Sequence, residues 1–112
     1  MHRAMDLEAA ADLFRTLADP TRRAIFERLA RGGELSVGAL TEGAQVSQPA
    51  VSQHLKALRN AGVVLEQRAG RQVLYRARPE GLAPMFDWLA HYAAFWPERF
   101  DRLEQLLKEM DQ

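Results

Sequence analysis

Apolar residues recur at helical spacing along most of this chain and give way to short continuous runs in one stretch. Leu7, Ala10, Ala11, Phe14 and Leu17 mark a first amphipathic helix over residues 6 to 18. Asp19-Pro20 restarts the chain, with Asp19 as N-cap and Pro20 at the first helical position. Ala24, Ile25 and Leu29 form the stripe that this second helix should bury, and Gly32-Gly33 ends it. Arg22, Arg23, Arg28 and Arg31 decorate it and read as a solvated face, although Arg22 and Arg23 lie near enough to the helix start to reach phosphate. Ser36 caps a short third helix from Val37 to about Gly43, with Val37 and Leu40 facing in.

After the turn Gly43-Ala44-Gln45-Val46, Ser47 caps a fourth helix that has Pro49 in its first turn and no breaker before Gly62. Val51, Leu55 and Leu58 fall at i, i+4 and i+7 and make one apolar stripe, so Gln48, Ser52, Gln53 and Lys56 point elsewhere. Residues 36–61 thus have a helix-turn-helix layout, whose second helix enters a major groove. Glutamine pairs bidentately with adenine, serine donates or accepts, and lysine reaches phosphate or guanine, so the outward face has the chemistry for base readout.

Past Asn60-Ala61-Gly62 the period changes. Val63 to Arg68 and Gln72 to Ala77 are β-branched and apolar runs, and Gly70-Arg71 between them suits a type II′ turn. Residues 62–78 therefore read as a basic hairpin, a wing with Arg71 at its tip and Arg68 and Arg76 on its arms, able to reach phosphates or a minor groove. From residue 80 to 112 the chain is helical again, and Leu82, Met85, Phe86, Trp88, Leu89, Tyr92, Phe95, Trp96, Phe100 and Leu103 cover more than one face. That surplus calls for a second partner surface, most simply the same helix of another subunit. Pro97 should kink this terminal helix or split it.

Composition narrows the picture. A chain of 112 residues with 47% hydrophobic and 27% charged side chains is expected to form a single domain, 1–112. Without cysteine there are no disulfides, zinc knuckles or thiol chemistry, and only His, Asp and Glu remain as metal ligands. No leader-like or bilayer-spanning apolar segment is visible, so a cytoplasmic protein with no membrane partner is expected. The net charge is zero but unevenly spread: residues 1–52 carry −1, residues 53–78 carry +5, and residues 79–112 carry −4. A basic block between neutral and acidic ones suits a molecule with one polyanion-facing side. No glycine-rich phosphate loop, nucleophile motif or paired-carboxylate constellation is present, so neither an enzyme nor a cofactor is expected. A winged-helix module for protein contacts or RNA is the alternative, but it would not require a polar recognition-helix face joined to the +5 segment.

Three ordered motifs carry a resemblance: Leu17-Ala18-Asp19-Pro20-Thr21-Arg22-Arg23-Ala24-Ile25, the run from Ser47 to Leu58, and Gly62-Val63-Val64 followed by Gly70-Arg71 and Tyr75. Together they resemble ArsR-type winged helix-turn-helix repressors over nearly the whole chain. The resemblance implies a mainly α fold of five to six helices plus a two-stranded wing, homodimeric through terminal helices. It also implies a partly palindromic double-stranded DNA operator and control of the protein's own operon. Carried over by motif, Gln48, Ser52 and Gln53 would read base edges, and Pro49 would touch a thymine methyl. Ser47, His54 and Lys56 would contact backbone or support the helix, with Arg71 as the wing-tip contact and Arg68 and Arg76 beside it. The dimer contact would draw on Phe14, Met85, Trp88, Leu89, Tyr92, Phe95, Trp96, Phe100 and Leu103. Metal-sensing members often use cysteines or Asp/His pairs; here Asp87 and His91 share a helix face but the second pair is missing, with only Glu98 and Asp101 nearby, so the chain more closely resembles the cysteine-free branch, with no metal and room for an unknown small-molecule effector, and an Asp/His-type metal-sensing repressor is the other alternative.

Overall fold

Side-chain caps set where the first four helices begin. In the computed structural model, which describes residues 5–95 and 97–110 with the side chains of 97–100 excepted, Asp6 accepts from the Ala9 N–H at 2.9 Å to open α1 (Leu7–Ala18). Asp19 accepts from the Arg22 N–H at 3.0 Å to open α2 (Pro20–Gly32). Ser36 caps α3 (Val37–Glu42) through the Ala39 N–H, and Ser47 caps α4 (Gln48–Asn60) through the Ala50 N–H. Each cap pairs one of the four amide donors that a helix start leaves open.

The hairpin follows as β2 (Val64–Ala69) and β3 (Gln72–Ala77), in register from Val64 opposite Ala77 to Ala69 opposite Gln72. Gly70 sits at φ 67° while no non-glycine residue has positive φ among the described residues, as a type II′ turn with glycine first requires. The expected two-stranded wing is in fact the larger part of a three-stranded sheet. A short strand β1 (Leu35–Ser36) pairs antiparallel with β3, Leu35 opposite Tyr75, giving the order β1-β3-β2. Two residues are too few to show a period, which is why this strand left no pattern in the sequence.

A 3-10 turn (Pro79–Leu82) leads into α5 (Ala83–Ala93), and a separate α6 (Pro97–Met110) follows. The core is one cluster built from Leu13, Ile25, Phe26, Leu29, Leu40, Val51, Leu55, Leu58, Val63 and Val64. At ~1.5–3 kcal/mol for each large apolar side chain, this cluster is the main force joining α1 to α4 and the sheet.

Two helical stripes differ from expectation. In α1 the buried positions are Ala10 and Leu13, with Leu17 packed at the edge, whereas Leu7 and Phe14 stay exposed. The helix is apolar on two faces, and the expected stripe mixed them. In α2, Phe26 is buried and Ala24 is exposed, because the larger side chain fills the space beside Ile25 and Leu29.

Candidate nucleic-acid interface

The fourth helix is divided as its periodicity predicts. Val51, Leu55 and Leu58 are fully buried, while Ser47, Gln48, Pro49, Ser52, Gln53 and Lys56 are exposed. Three anchored residues on one side hold a polar surface on the other, and the residues nearest the N-terminus are the ones that a recognition helix brings to base edges. Ser47 spends its hydroxyl on the cap, at 3.4 Å from the Ala50 nitrogen.

His54 departs from that surface. It is half-buried and turned toward α2, where its Nδ1 accepts a hydrogen bond from the Arg22 Nε–H at 3.2 Å. Arg22 also supplies the backbone N–H that Asp19 accepts, so the start of α2 and the middle of α4 meet at one polar cluster. That N–H bond is the largest influence holding the Asp19 carboxyl below its ordinary range; the charge of His54 acts in the same direction, and desolvation opposes both.

The arginines of α2 are not simply a solvated face. Arg23 donates to the Leu17 carbonyl at 2.8 Å, and Arg28 donates to the Leu40 carbonyl at 3.0 Å. Each closes a carbonyl near the end of a neighbouring helix, α1 or α3, where intrahelical partners run out. Helical spacing places these arginines outward from their own helix but cannot register a carbonyl supplied by another.

The basic block is likewise smaller in effect than its count. Of its six basic side chains, Arg59 forms an ion pair with Glu66, and Arg78 donates to the Gly62 carbonyl at 3.1 Å. Lys56, Arg68, Arg71 and Arg76 are exposed and have no ion-pair partner among the described residues. The strand register separates them further. Arg76 lies opposite Leu65 on one face of the ribbon, whereas Arg68 lies on the face that carries Tyr75 and Val64, and Arg71 sits in the turn. Burial and the nearby Glu66 push the Tyr75 phenol upward, with Arg59 opposing.

The residues expected at a dimer contact fall into three groups. Phe14, Leu89, Tyr92, Phe95 and Leu103 are exposed. Trp88 is half-buried, its ring meeting Phe14 edge-on at 5.2 Å and Tyr92 at 4.8 Å. Met85 is half-buried against the protomer's own core, so its side chain is committed within the subunit. Trp96 and the side chain of Phe100 lie outside the described residues. Phe86, two-thirds exposed, is an apolar surface residue that the expected set omitted. Among the described residues no three His, Cys, Asp or Glu side chains gather at metal-binding range.

A model of the helix-turn-helix domain matches residues 17–67. The HTH-type transcriptional regulator Rv2034 of Mycobacterium tuberculosis is 45% identical over 94 residues, which span 84% of this chain and 84% of that one. Among solved structures, an ArsR-like transcriptional regulator from Rhodococcus sp. RHA1 superposes with a TM-score of 0.71 at 31% identity, covering 88% of this chain and 92% of its own. The homodimeric winged helix-turn-helix DNA-binding domain Mb0332 from Mycobacterium bovis, a possible ArsR-family transcriptional regulator, superposes with a TM-score of 0.63 at 28% identity, covering 84% and 91%.

Proposed function

The chain belongs to the ArsR family of DNA-binding helix-turn-helix transcriptional regulators, and from that premise we propose that it acts as a homodimeric repressor. Each subunit sets one α4 into the major groove of a half-site in a partly palindromic operator upstream of the protein's own operon. The observation that carries this reading is the exposed polar face of α4, held by three fully buried anchors and followed directly by the basic ribbon. Gln48, Ser52 and Gln53 read base edges, Pro49 meets a thymine methyl, and Ser47 and Lys56 approach the backbone. Arg71 is the wing-tip contact, with Arg68 and Arg76 adding charge from the two faces of the ribbon.

Dimer formation is supported by α5, which buries none of its residues fully and leaves Phe86, Leu89 and Tyr92 exposed, with Phe95 exposed just beyond its end and Phe14 exposed on α1. An apolar surface of this extent on a small domain marks an interaction site. Two-fold pairing then spaces the recognition helices about one helical turn of DNA apart, ~34 Å, or a multiple of it.

The test is a fluorescence-anisotropy titration of labelled duplex from the upstream region against a scrambled duplex of equal length. The logarithm of the association constant should fall linearly with the logarithm of salt concentration, as release of condensed counterions requires. Flat salt dependence, or equal affinity for the two duplexes, would sink the reading.

A further inference from the structure

We infer that Arg22 and Arg28 are positioning residues for base readout, a two-point brace by which α2 fixes both helices of the helix-turn-helix. This rests on the reading of α4 as the base-reading element. The buried stripe of α2 runs through Ile25, Phe26 and Leu29, and Arg22 stands at the head of that stripe, one turn nearer the helix start. It is half-buried, and its Nε–H donates to His54 Nδ1 on α4 at 3.2 Å, across 32 positions of the chain. His54 lies between Gln53, on the exposed face, and Leu55, a fully buried anchor, so holding position 54 holds the rotation of the reading face about the helix axis.

Arg28 makes the second attachment, at the turn. Its Nη1 donates to the Leu40 carbonyl at 3.0 Å. In a longer helix that carbonyl would accept from the Ala44 N–H, but α3 ends at Glu42 and the Ala44 N–H goes to the Thr41 carbonyl instead, at 3.1 Å. The guanidinium reaches Leu40 by lying over Gly43, where an added Cβ would stand 2.5 Å from Nη1 and 3.0 Å from Cζ. Gly43 has φ −96°, on the side of the map open to residues with a side chain, so what glycine contributes here is room for the guanidinium. Residue 43 opens the turn that delivers α4. Arg28 therefore governs where α4 begins, and Arg22 how it is rotated. The buried anchors Val51, Leu55 and Leu58 hold α4 to the core by an attraction that has no direction; the two arginine bonds supply the direction.

The experiment begins with selection of a preferred duplex from random-sequence DNA, followed by anisotropy titrations of that duplex and a random one over a range of salt. Thermal melts confirm that each variant is folded. Arg22→Ala and Arg28→Ala should each lose about tenfold in discrimination between the two duplexes, the worth of one hydrogen bond from a charged donor. Their affinity for the random duplex and its salt slope should stay at the wild-type values, which loss of a phosphate contact would not allow. Arg22→Lys and Arg28→Lys, which keep a charged donor, should recover part of the discrimination. Gly43→Ala leaves Arg28 in place but displaces its guanidinium, so it should match Arg28→Ala, and the double variant should be no worse than either, since all remove one bond. Arg22→Ala and His54→Ala should be non-additive in the same way. A salt slope about one unit shallower in either arginine variant would make that residue a phosphate contact and overturn the brace. Wild-type discrimination in both variants, or full additivity of Gly43→Ala with Arg28→Ala, would overturn it while leaving base reading by α4 standing. If selection returns no preferred sequence, base reading by α4 itself fails, and the brace with it.

Discussion

At the scale of single residues, the contacts proposed for α4 and for the wing divide by chemistry into those that would read sequence and those that would supply charge. Gln53→Ala should cost about 1–3 kcal/mol on the preferred operator and relax preference at one base pair, whereas Arg71→Ala should weaken all duplexes more evenly. Competition titrations against single-base operator variants separate the two, and a Gln53→Ala effect as even across sequences as that of Arg71→Ala would contradict the base-reading assignment. Asp19 supplies a second residue-scale prediction. Its carboxyl titrates below its ordinary value of 3.8, chiefly because it accepts the Arg22 N–H. The folded state therefore binds fewer protons than the unfolded chain on the acid side, so this contribution is fully present above 3.8 and is lost as pH falls through the lowered value. Asp19→Asn keeps a capping oxygen and removes the titration, so its urea midpoint should change less between pH 5 and pH 2.5 than that of the wild type. The caps Asp19, Ser36 and Ser47 were legible at this scale because an Asp or Ser before a helix acts within its own turn, whereas Asp6 reads from the sequence as the first residue of its helix and is instead its cap. The partners of Arg22, Arg23, Arg28 and Arg78 were not, since each is a group that the fold brings from elsewhere.

Between elements, the junction of the reading unit and the terminal helices depends on one close approach. A Cβ added at Gly81 would lie 2.0 Å from the Gly62 carbonyl oxygen and 2.7 Å from its carbon, with backbone rather than a yielding side chain in the way. Gly62 is itself at φ 83°, and the Arg78 guanidinium donates to the same oxygen. The end of α4, the start of β2 and the turn into α5 are thus locked by backbone contact. Gly81→Ala should destabilise the protein by roughly 2–3 kcal/mol, read from the chemical unfolding midpoint, because neither backbone can retreat without breaking this junction. A change below about 0.5 kcal/mol would show that the turn repacks freely. In the sequence, glycine at position 62 announced a helix end through its place after Asn60-Ala61. Glycine at position 81 announced nothing, because its reason lies 19 residues back along the chain. The same distinction separates β2 and β3, visible as apolar runs around a glycine turn, from β1, two residues whose strand character comes wholly from pairing with β3.

For the whole molecule, the proposed interface makes the terminal aromatics the choice between a lone recognition helix and a pair. Trp88 packs on Phe14 and Met85 on the core, so substituting either damages the protomer as well as any interface. Phe95 is 68% exposed and gives the cleaner test. Phe95→Glu should yield a folded monomer by sedimentation, with operator affinity reduced at least tenfold because two linked half-site contacts become independent ones. A persisting dimer would move the interface away from α5.

The sequence by itself determined the helices, the caps of α2, α3 and α4, the hairpin and its turn, and the polar face of α4, because each depends on side chains within one or two turns of one another. Tertiary structure alone decided which apolar face of α1 is core, that Phe26 rather than Ala24 fills the centre of α2, and which members of a +5 segment still carry uncommitted charge. A periodic pattern reports that a residue leaves its own helix or strand. It does not report what is waiting there, and for the arginines of this chain that difference separates a surface charge from a fastening.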